Sequence, residues 1–84
     1  SASDNFSLFP NPANNYLQIT LPELTRSKTN YSIYNVIGQL VMSSELDANL
    51  SSFNINIESL KNGIYTLTLK QNGVISSKKF IVNK

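Results

Sequence analysis

The 84 residues include no cysteine, no histidine and no tryptophan. Without cysteine there is no disulfide framework, no thiolate nucleophile and no zinc or iron–sulfur site built on sulfur. Without histidine there is no imidazole base and no imidazole metal ligand. Charge is scarce as well: Asp, Glu, Lys and Arg make up 14% of the chain, against about 25% in an average globular protein. The longest apolar run is three residues, as in Leu40-Val41-Met42, whereas a membrane-spanning helix needs about 20. No charged start followed by an apolar stretch reads as a signal peptide, so the chain reads as a piece of something longer or as a mature product. A single domain of this length buries only about 60–65% of the surface its unfolded chain exposes. That supports one modest core but not a core plus a deep substrate cleft. These absences argue against ordinary enzyme chemistry and against any cofactor.

Neutral polar residues fill the gap. Asn and Ser each occur 12 times, and Ala appears only at Ala2, Ala13 and Ala48. Asn and Ser suit turns and the wet face of an antiparallel sheet, whereas long helices favour Ala, Glu and Lys. Period-two alternation dominates accordingly. Leu17, Ile19 and Leu21 alternate with Gln18 and Thr20, and Phe53, Ile55 and Ile57 with Asn54 and Asn56. Tyr65, Leu67 and Leu69 alternate with Thr66 and Thr68; 74–82 places Phe80 and Val82 on one face and Lys79 and Ile81 on the other. Tyr31 to Tyr34, Leu40 to Met42 and a short piece at Phe6 to Leu8 complete six or seven strands.

Turn chemistry separates these strands. Asn72-Gly73 predicts a tight hairpin, and Asn35-Val36-Ile37-Gly38 a turn closed by glycine at positive φ with a bulge. The longest loops, at 22–30 and 45–52, are polar. Short strands with turns every eight to twelve residues predict a β-sandwich, with a small barrel as the second choice. Residues 1–5 have linker composition.

No constellation of residues points to catalysis. Only Glu45 and Asp47 are close among the five carboxylates; with Asn49 they faintly resemble a calcium loop, but the glycine and bidentate glutamate are missing. Five lysines (61, 70, 78, 79 and 84) give the C-terminal half its excess charge, yet a total of +2 is weak for nucleic acid. Lys78 and Lys79 read first as protection of an edge strand, and second as contacts for a protein partner. Sequons at Asn5, Asn30 and Asn49 are what chance supplies in so Asn- and Ser-rich a chain. Tyr65 follows Leu60-Lys61-Asn62-Gly63 with the spacing of a tyrosine corner, and a plain core tyrosine fits as well.

The motif series goes further than composition. Phe9-Pro10-Asn11-Pro12-Ala13, Leu17-Gln18-Ile19, the segment from Ile33 to Val41 with Asn35 and Gly38, Leu60 to Tyr65, and Lys79-Phe80-Ile81-Val82-Asn83-Lys84 follow in that order. Together they closely resemble the type A C-terminal sorting domain of the type IX (Por) secretion system of Bacteroidota. The resemblance covers residues 8–84 and leaves 1–7 as a linker remnant. It implies an all-β, Ig-like antiparallel sandwich of about seven strands at the tail of a longer precursor, with the cargo N-terminal to it. It also implies passage through the periplasm, recognition by the secretion machinery including an outer-membrane shuttle, and removal by a sortase-like surface peptidase. The cargo then ends at the cell surface or secreted, and nucleic acid has no part.

The family positions that match are Pro10, Asn11, Pro12, Gly38, Gly63, Tyr65, Lys79, Phe80, Ile81, Val82 and Lys84. Gly38 and Gly63 are assigned to backbone geometry, and the terminal strand to receptor pairing by strand addition. On this reading, deleting the last five or so residues abolishes export and leaves the sandwich largely folded. The alternative is a fibronectin-III-like or carbohydrate-binding accessory module, for which Tyr16, Tyr31 and Tyr34 are the candidate aromatics.

Overall fold

The computed structural model describes residues 6–21, 28–46, 51–71 and 73–84. Seven strands form: β1 (Ser7–Phe9), β2 (Tyr16–Thr20), β3 (Thr29–Asn35), β4 (Leu40–Leu46), β5 (Ser52–Asn56), β6 (Gly63–Gln71) and β7 (Val74–Val82). They make two antiparallel sheets, one ordered β1-β2-β5 and the other β4-β3-β6-β7. The alternation in the sequence becomes the two faces of each sheet, because successive side chains on a strand point to opposite sides. In the smaller sheet Leu17 pairs across to Ile55, and Ile19 lies between Leu8 and Phe53. In the larger sheet Ile33 lies between Met42 and Leu67, and Tyr65 is paired with Phe80.

The two inner faces meet in one core. Leu17, Ile19, Ile33, Ile55, Ile57, Leu67, Phe80 and Val82 are fully buried, with Leu8, Tyr31, Met42 and Phe53 packed around them. Tyr31 and Phe53 stack between the sheets at 6.0 Å between ring centroids and 16° between planes. The buried polar residue of the core, Thr29, accepts a hydrogen bond at Oγ1 from Nε2 of Gln71 at 3.2 Å, so its hydroxyl is not left unpaired. Phe6 is buried ahead of β1 and belongs to this core, and Ser7 opens β1, so both are part of the fold and not of the linker expected over 1–7.

The turns follow the residues that make them. Gly38 takes φ of +86°, and its N–H donates to the Asn35 carbonyl at 3.0 Å, closing the β3–β4 hairpin. The Asn35 side-chain oxygen holds the same turn from inside by accepting from the Ile37 and Gln39 N–H groups at 3.1 and 2.9 Å. The bulge expected there lies a little further in, as a register shift between Ile33 and Tyr34. At the β6–β7 hairpin Gln71 pairs with Val74 and Gly73 has φ of +82°; Asn72 lies outside the described residues. Most of the 22–30 loop lies outside them as well, as do residues 47–50 of the 45–52 loop.

The β7 strand sits at one edge of the larger sheet and β4 at the other. Its Lys78 is one of the two lysines read from the sequence as edge protection or as partner contacts. It shares the inner face with Phe80, and its ammonium stands 5.7 Å from the centroid of the Phe6 ring. An inward-pointing charge on an edge strand blocks continued pairing, because a further strand would have to bury it.

Ile33 is a fully buried aliphatic residue of β3, so Ile33→Ala is expected to cost about 2–5 kcal/mol. Urea denaturation followed by circular dichroism measures this as a lower midpoint at unchanged slope.

Candidate functional site

The residues singled out in the sequence come together at one end of the larger sheet, around the C-terminal strand. The loop between β1 and β2 leaves the smaller sheet and lies along the outer edge of β7. The Ala13 N–H donates to the Ile81 carbonyl at 2.6 Å, and the Asn83 N–H donates to the Ala13 carbonyl at 2.8 Å, a short parallel bridge. The Asn11 side-chain oxygen accepts from the Ile81 N–H at 3.0 Å. Asn11 is therefore a side chain standing in for a strand: proline on either side removes the backbone donors, and the carboxamide supplies the bond to β7. Pro10 is half-buried and Pro12 exposed. Ala13, fully buried, fits because a larger side chain would push the loop off the edge.

A second segment holds the chain beyond β7. The Lys84 N–H donates to the Asn62 side-chain oxygen at 2.9 Å, and Lys84 Nζ donates to the Glu58 carbonyl at 2.6 Å. Asn62 immediately precedes Gly63, which has φ of +157° and pairs with Val82. Two residues on, the Tyr65 hydroxyl donates to the Lys61 carbonyl at 2.7 Å, so the tyrosine corner forms. The Tyr65 ring stacks on Phe80 at 5.7 Å and 22°. The loop before β1-proximal β2, the β5–β6 connection and the end of β7 thus close into one clasp.

Of the expected positions, Pro10 and Pro12 flank Asn11 in the loop, and the other nine divide into three groups. Asn11, Gly63, Tyr65, Phe80, Val82 and Lys84 belong to the clasp or to the core beneath it. Ile81 and Lys79 point outward from the same strand. Gly38 is outside the clasp, in the neighbouring β3–β4 turn. Five contributors were not singled out as recognition residues: Ala13, Asn62, the Asn83 N–H and the Glu58 and Lys61 carbonyls. Ala13 and Asn62 stand within the quoted motifs, whereas a backbone carbonyl leaves no sequence signal.

Two expectations need correction. Strand addition cannot use the last residues of β7 as they stand, because the outward-facing backbone of Ile81 and Asn83 is already bonded to 11–13. By alternation, the part of that edge with no partner among the described residues is the backbone of Ile75, Ser77 and Lys79. A five-residue deletion also does not spare the core of the sandwich. It removes Phe80 and Val82, both about 1% exposed, and loss of a buried aromatic alone costs about 3–5 kcal/mol.

The aromatics considered for glycan binding do not line up. Tyr16 is exposed on β2 of the smaller sheet, Tyr31 is stacked on Phe53 inside, and Tyr34 is half-buried on the opposite face of β3. Glu45, the described member of the suggested calcium set, stands 3.6 Å from the Lys28 ammonium; Asp47 and Asn49 lie outside the described residues. Among the described residues no group of three or more His, Cys, Asp or Glu is placed to hold a metal. A shallow polar depression along β3 and β4 is lined by Asn30, Ser32, Ser43 and Glu45 and is open to solvent.

Asn11→Ala is expected to speed hydrogen exchange at the Ile81 amide by freeing its N–H, while global stability falls by only about 1 kcal/mol. Amide-resolved exchange by NMR checks both halves of that statement.

Comparison with known proteins agrees with this architecture. A DUF3244-family protein from Bacteroides vulgatus, described as having an immunoglobulin-like β-sandwich fold, superimposes with a TM-score of 0.77 over 98% of this chain and 88% of its own. At 14% identity that likeness establishes the fold alone: the chain is an Ig-like sandwich. No curated protein matches it in sequence. The family model for the secretion system C-terminal sorting domain matches residues 7–83. That match spans the β1–β2 loop, the Tyr65 corner and the clasped end of β7, and the chain therefore belongs to the C-terminal sorting domains of the type IX secretion system, whose role is to send an attached protein toward the cell surface or the medium.

Proposed function

We propose that this domain acts as a folded address: the export machinery reads the closed sandwich in the periplasm and carries the N-terminal cargo through the outer membrane. The observation that carries the proposal is the clasp. The terminal residues Ile81 to Lys84 are bonded to Asn11, Ala13, Glu58 and Asn62, so their backbone is presented in one fixed geometry and only as part of the fold. A linear signal would need those residues free, and here freeing them means opening the β1–β2 loop. A folded signal also suits the composition, since neutral Asn and Ser keep the surface wet without drawing strong electrostatic partners.

Fusing 1–84 behind a signal peptide and a reporter tests the address. The reporter is expected in the medium or at the surface of a host with the type IX machinery, and to be retained in an isogenic strain without it. Removing only Asn83 and Lys84 separates signal from stability. That truncation strips three bonds of the clasp and spares the core, so export is expected to fall while circular dichroism still reports a folded domain. Full export of the truncated fusion would rule out the clasped end as part of the address.

Cleavage belongs to the same proposal. A peptidase needs several residues of extended chain in its site, and Phe6 is buried in the core with Ser7 already paired to Thr20. The sortase-like peptidase therefore cuts N-terminal to Phe6. Mass spectrometry of the released tail is expected to find an N-terminus at or before Phe6; a start at Ser7 or later would overturn this placement.

A further inference from the structure

The outer face of the larger sheet is mostly neutral and polar, as in the row Ser43, Ser32, Thr68 and Ser77, where Thr68 Oγ1 and Ser77 Oγ lie 3.2 Å apart. At the clasped end the character changes. The next row runs Leu40, Tyr34, Thr66 and Lys79, and beyond it Ile64 pairs with Ile81. Val36 and Ile37 follow the last β3–β6 pair, Asn35 with Tyr65, in the turn at this same end of the sheet. Val36 and Ile37 are 76% and 73% exposed, and Leu40, Ile64 and Ile81 are each about half exposed. Five large aliphatic side chains thus form one ridge on water, and each is set by a rigid feature. The Asn35–Gly38 turn presents Val36 and Ile37, strand pairing presents Leu40 and Ile64, and the Asn11 bond fixes the backbone of Ile81.

Single exposed aliphatics need no explanation, but a contiguous apolar ridge with a polar surround marks an interaction surface. Its border is cationic. Lys79 closes the Leu40 row on the same outward face as Ile81. The carboxylate side chains among the described residues are Glu58 and Glu45; Glu45 lies at the far end of β4 facing Lys28, and Glu58 belongs to the clasp, where its carbonyl accepts from the Lys84 ammonium.

We propose that the ridge of Val36, Ile37, Leu40, Ile64 and Ile81, bordered by Lys79, is the surface by which the export machinery grips the folded domain, in a protein groove apolar at its floor and carboxylate-bearing at its rim. The inference rests on the reading of the domain as a folded address. Charge selects this occupant over a second copy, because packing ridge on ridge would bring two cationic borders together. The residue types select it over a lipid surface. Interfacial binding favours Trp and Tyr at the boundary, whereas the sequence has no Trp and the one tyrosine of the ridge, Tyr34, is half-buried. Aliphatic side chains on rigid backbone instead suit a shaped protein groove, where a few central residues carry most of the binding.

The test uses the secreted reporter fusion. Val36→Asp with Ile37→Asp is expected to lower export at least about tenfold, the loss that removal of a central apolar contact produces. These side chains contribute little to the core, so the thermal midpoint of the purified domain is expected to stay within a few degrees. Val74→Asp with Ile75→Asp serves as the control, since both residues are more than half exposed at the opposite end of β7; it is expected to export normally. Lys79→Glu is expected to reduce export and Lys79→Arg to preserve it.

Several outcomes would overturn the proposal. Wild-type export by the ridge variant would do so, and so would an equal loss in the control pair. Sedimentation of the purified domain with phosphatidylglycerol vesicles, abolished by the ridge substitutions, would assign the surface to lipid instead. A dimer abolished by the same substitutions would assign it to a second copy. Failure of the unsubstituted fusion to be exported would instead refute the folded-address reading itself, so the two failures are distinguishable.

Discussion

The pairing of 11–13 with 81–83 is the joint on which the rest of this structure depends. A two-sheet sandwich leaves edges, and β7 is one of them. Its inner face must deliver Phe80 and Val82 to the core, while the outer backbone of its last residues needs partners. The β1–β2 loop meets that second need from the opposite sheet. Without that loop the last residues of β7 would be held by β6 alone, and the seating of two core side chains would depend on that one pairing. With it, the Ile81 amide, the Ile81 carbonyl and the Asn83 amide are all bonded.

That joint changes what kind of signal a C-terminal sorting domain carries. In sequence, the Pro-Asn-Pro segment and the Lys-Phe-Ile-Val-Asn-Lys ending are 70 residues apart at Asn11 and Ile81. In space they are one object, with the Tyr65 corner beneath it. Several motif residues therefore shape the surface rather than form it: Gly63, Tyr65, Phe80 and Val82 face inward or set the backbone. Those left facing water at this end are fewer, chiefly Ile64, Lys79 and Ile81, beside the exposed turn at Val36 and Ile37. A partner reading the domain meets these residues only because the buried ones hold them in register.

Much of the fold was legible in advance, and for a clear reason. Alternation over Leu17 to Leu21, Phe53 to Ile57 and Tyr65 to Leu69 reflects burial of one face of each strand, a constraint that acts residue by residue and so survives in the sequence. The Gly38 and Gly73 turns were legible for a similar reason, since their backbone conformations exclude most side chains. The motif series identified the family by the same local logic. What misled was the terminal strand. Read alone, Lys79 to Lys84 looks like a free tail ready for strand addition, because nothing nearby in sequence shows that Asn11 and Ala13 already occupy its edge. The same blindness made a five-residue deletion look harmless to the core.

The sequence by itself thus determined an all-β chain of six or seven strands, the buried face of those that alternate cleanly, the tight turns and membership of the sorting-domain family. All of these rest on short-range rules: period-two burial, glycine at positive φ, and proline without an N–H. Only the tertiary structure decided which edges are closed, which motif residues are neighbours and which apolar side chains remain on the surface. Those outcomes depend on how the two sheets come together through contacts between residues as far apart as Asn11 and Ile81, and no local pattern encodes a hydrogen bond from Ile81 to Asn11.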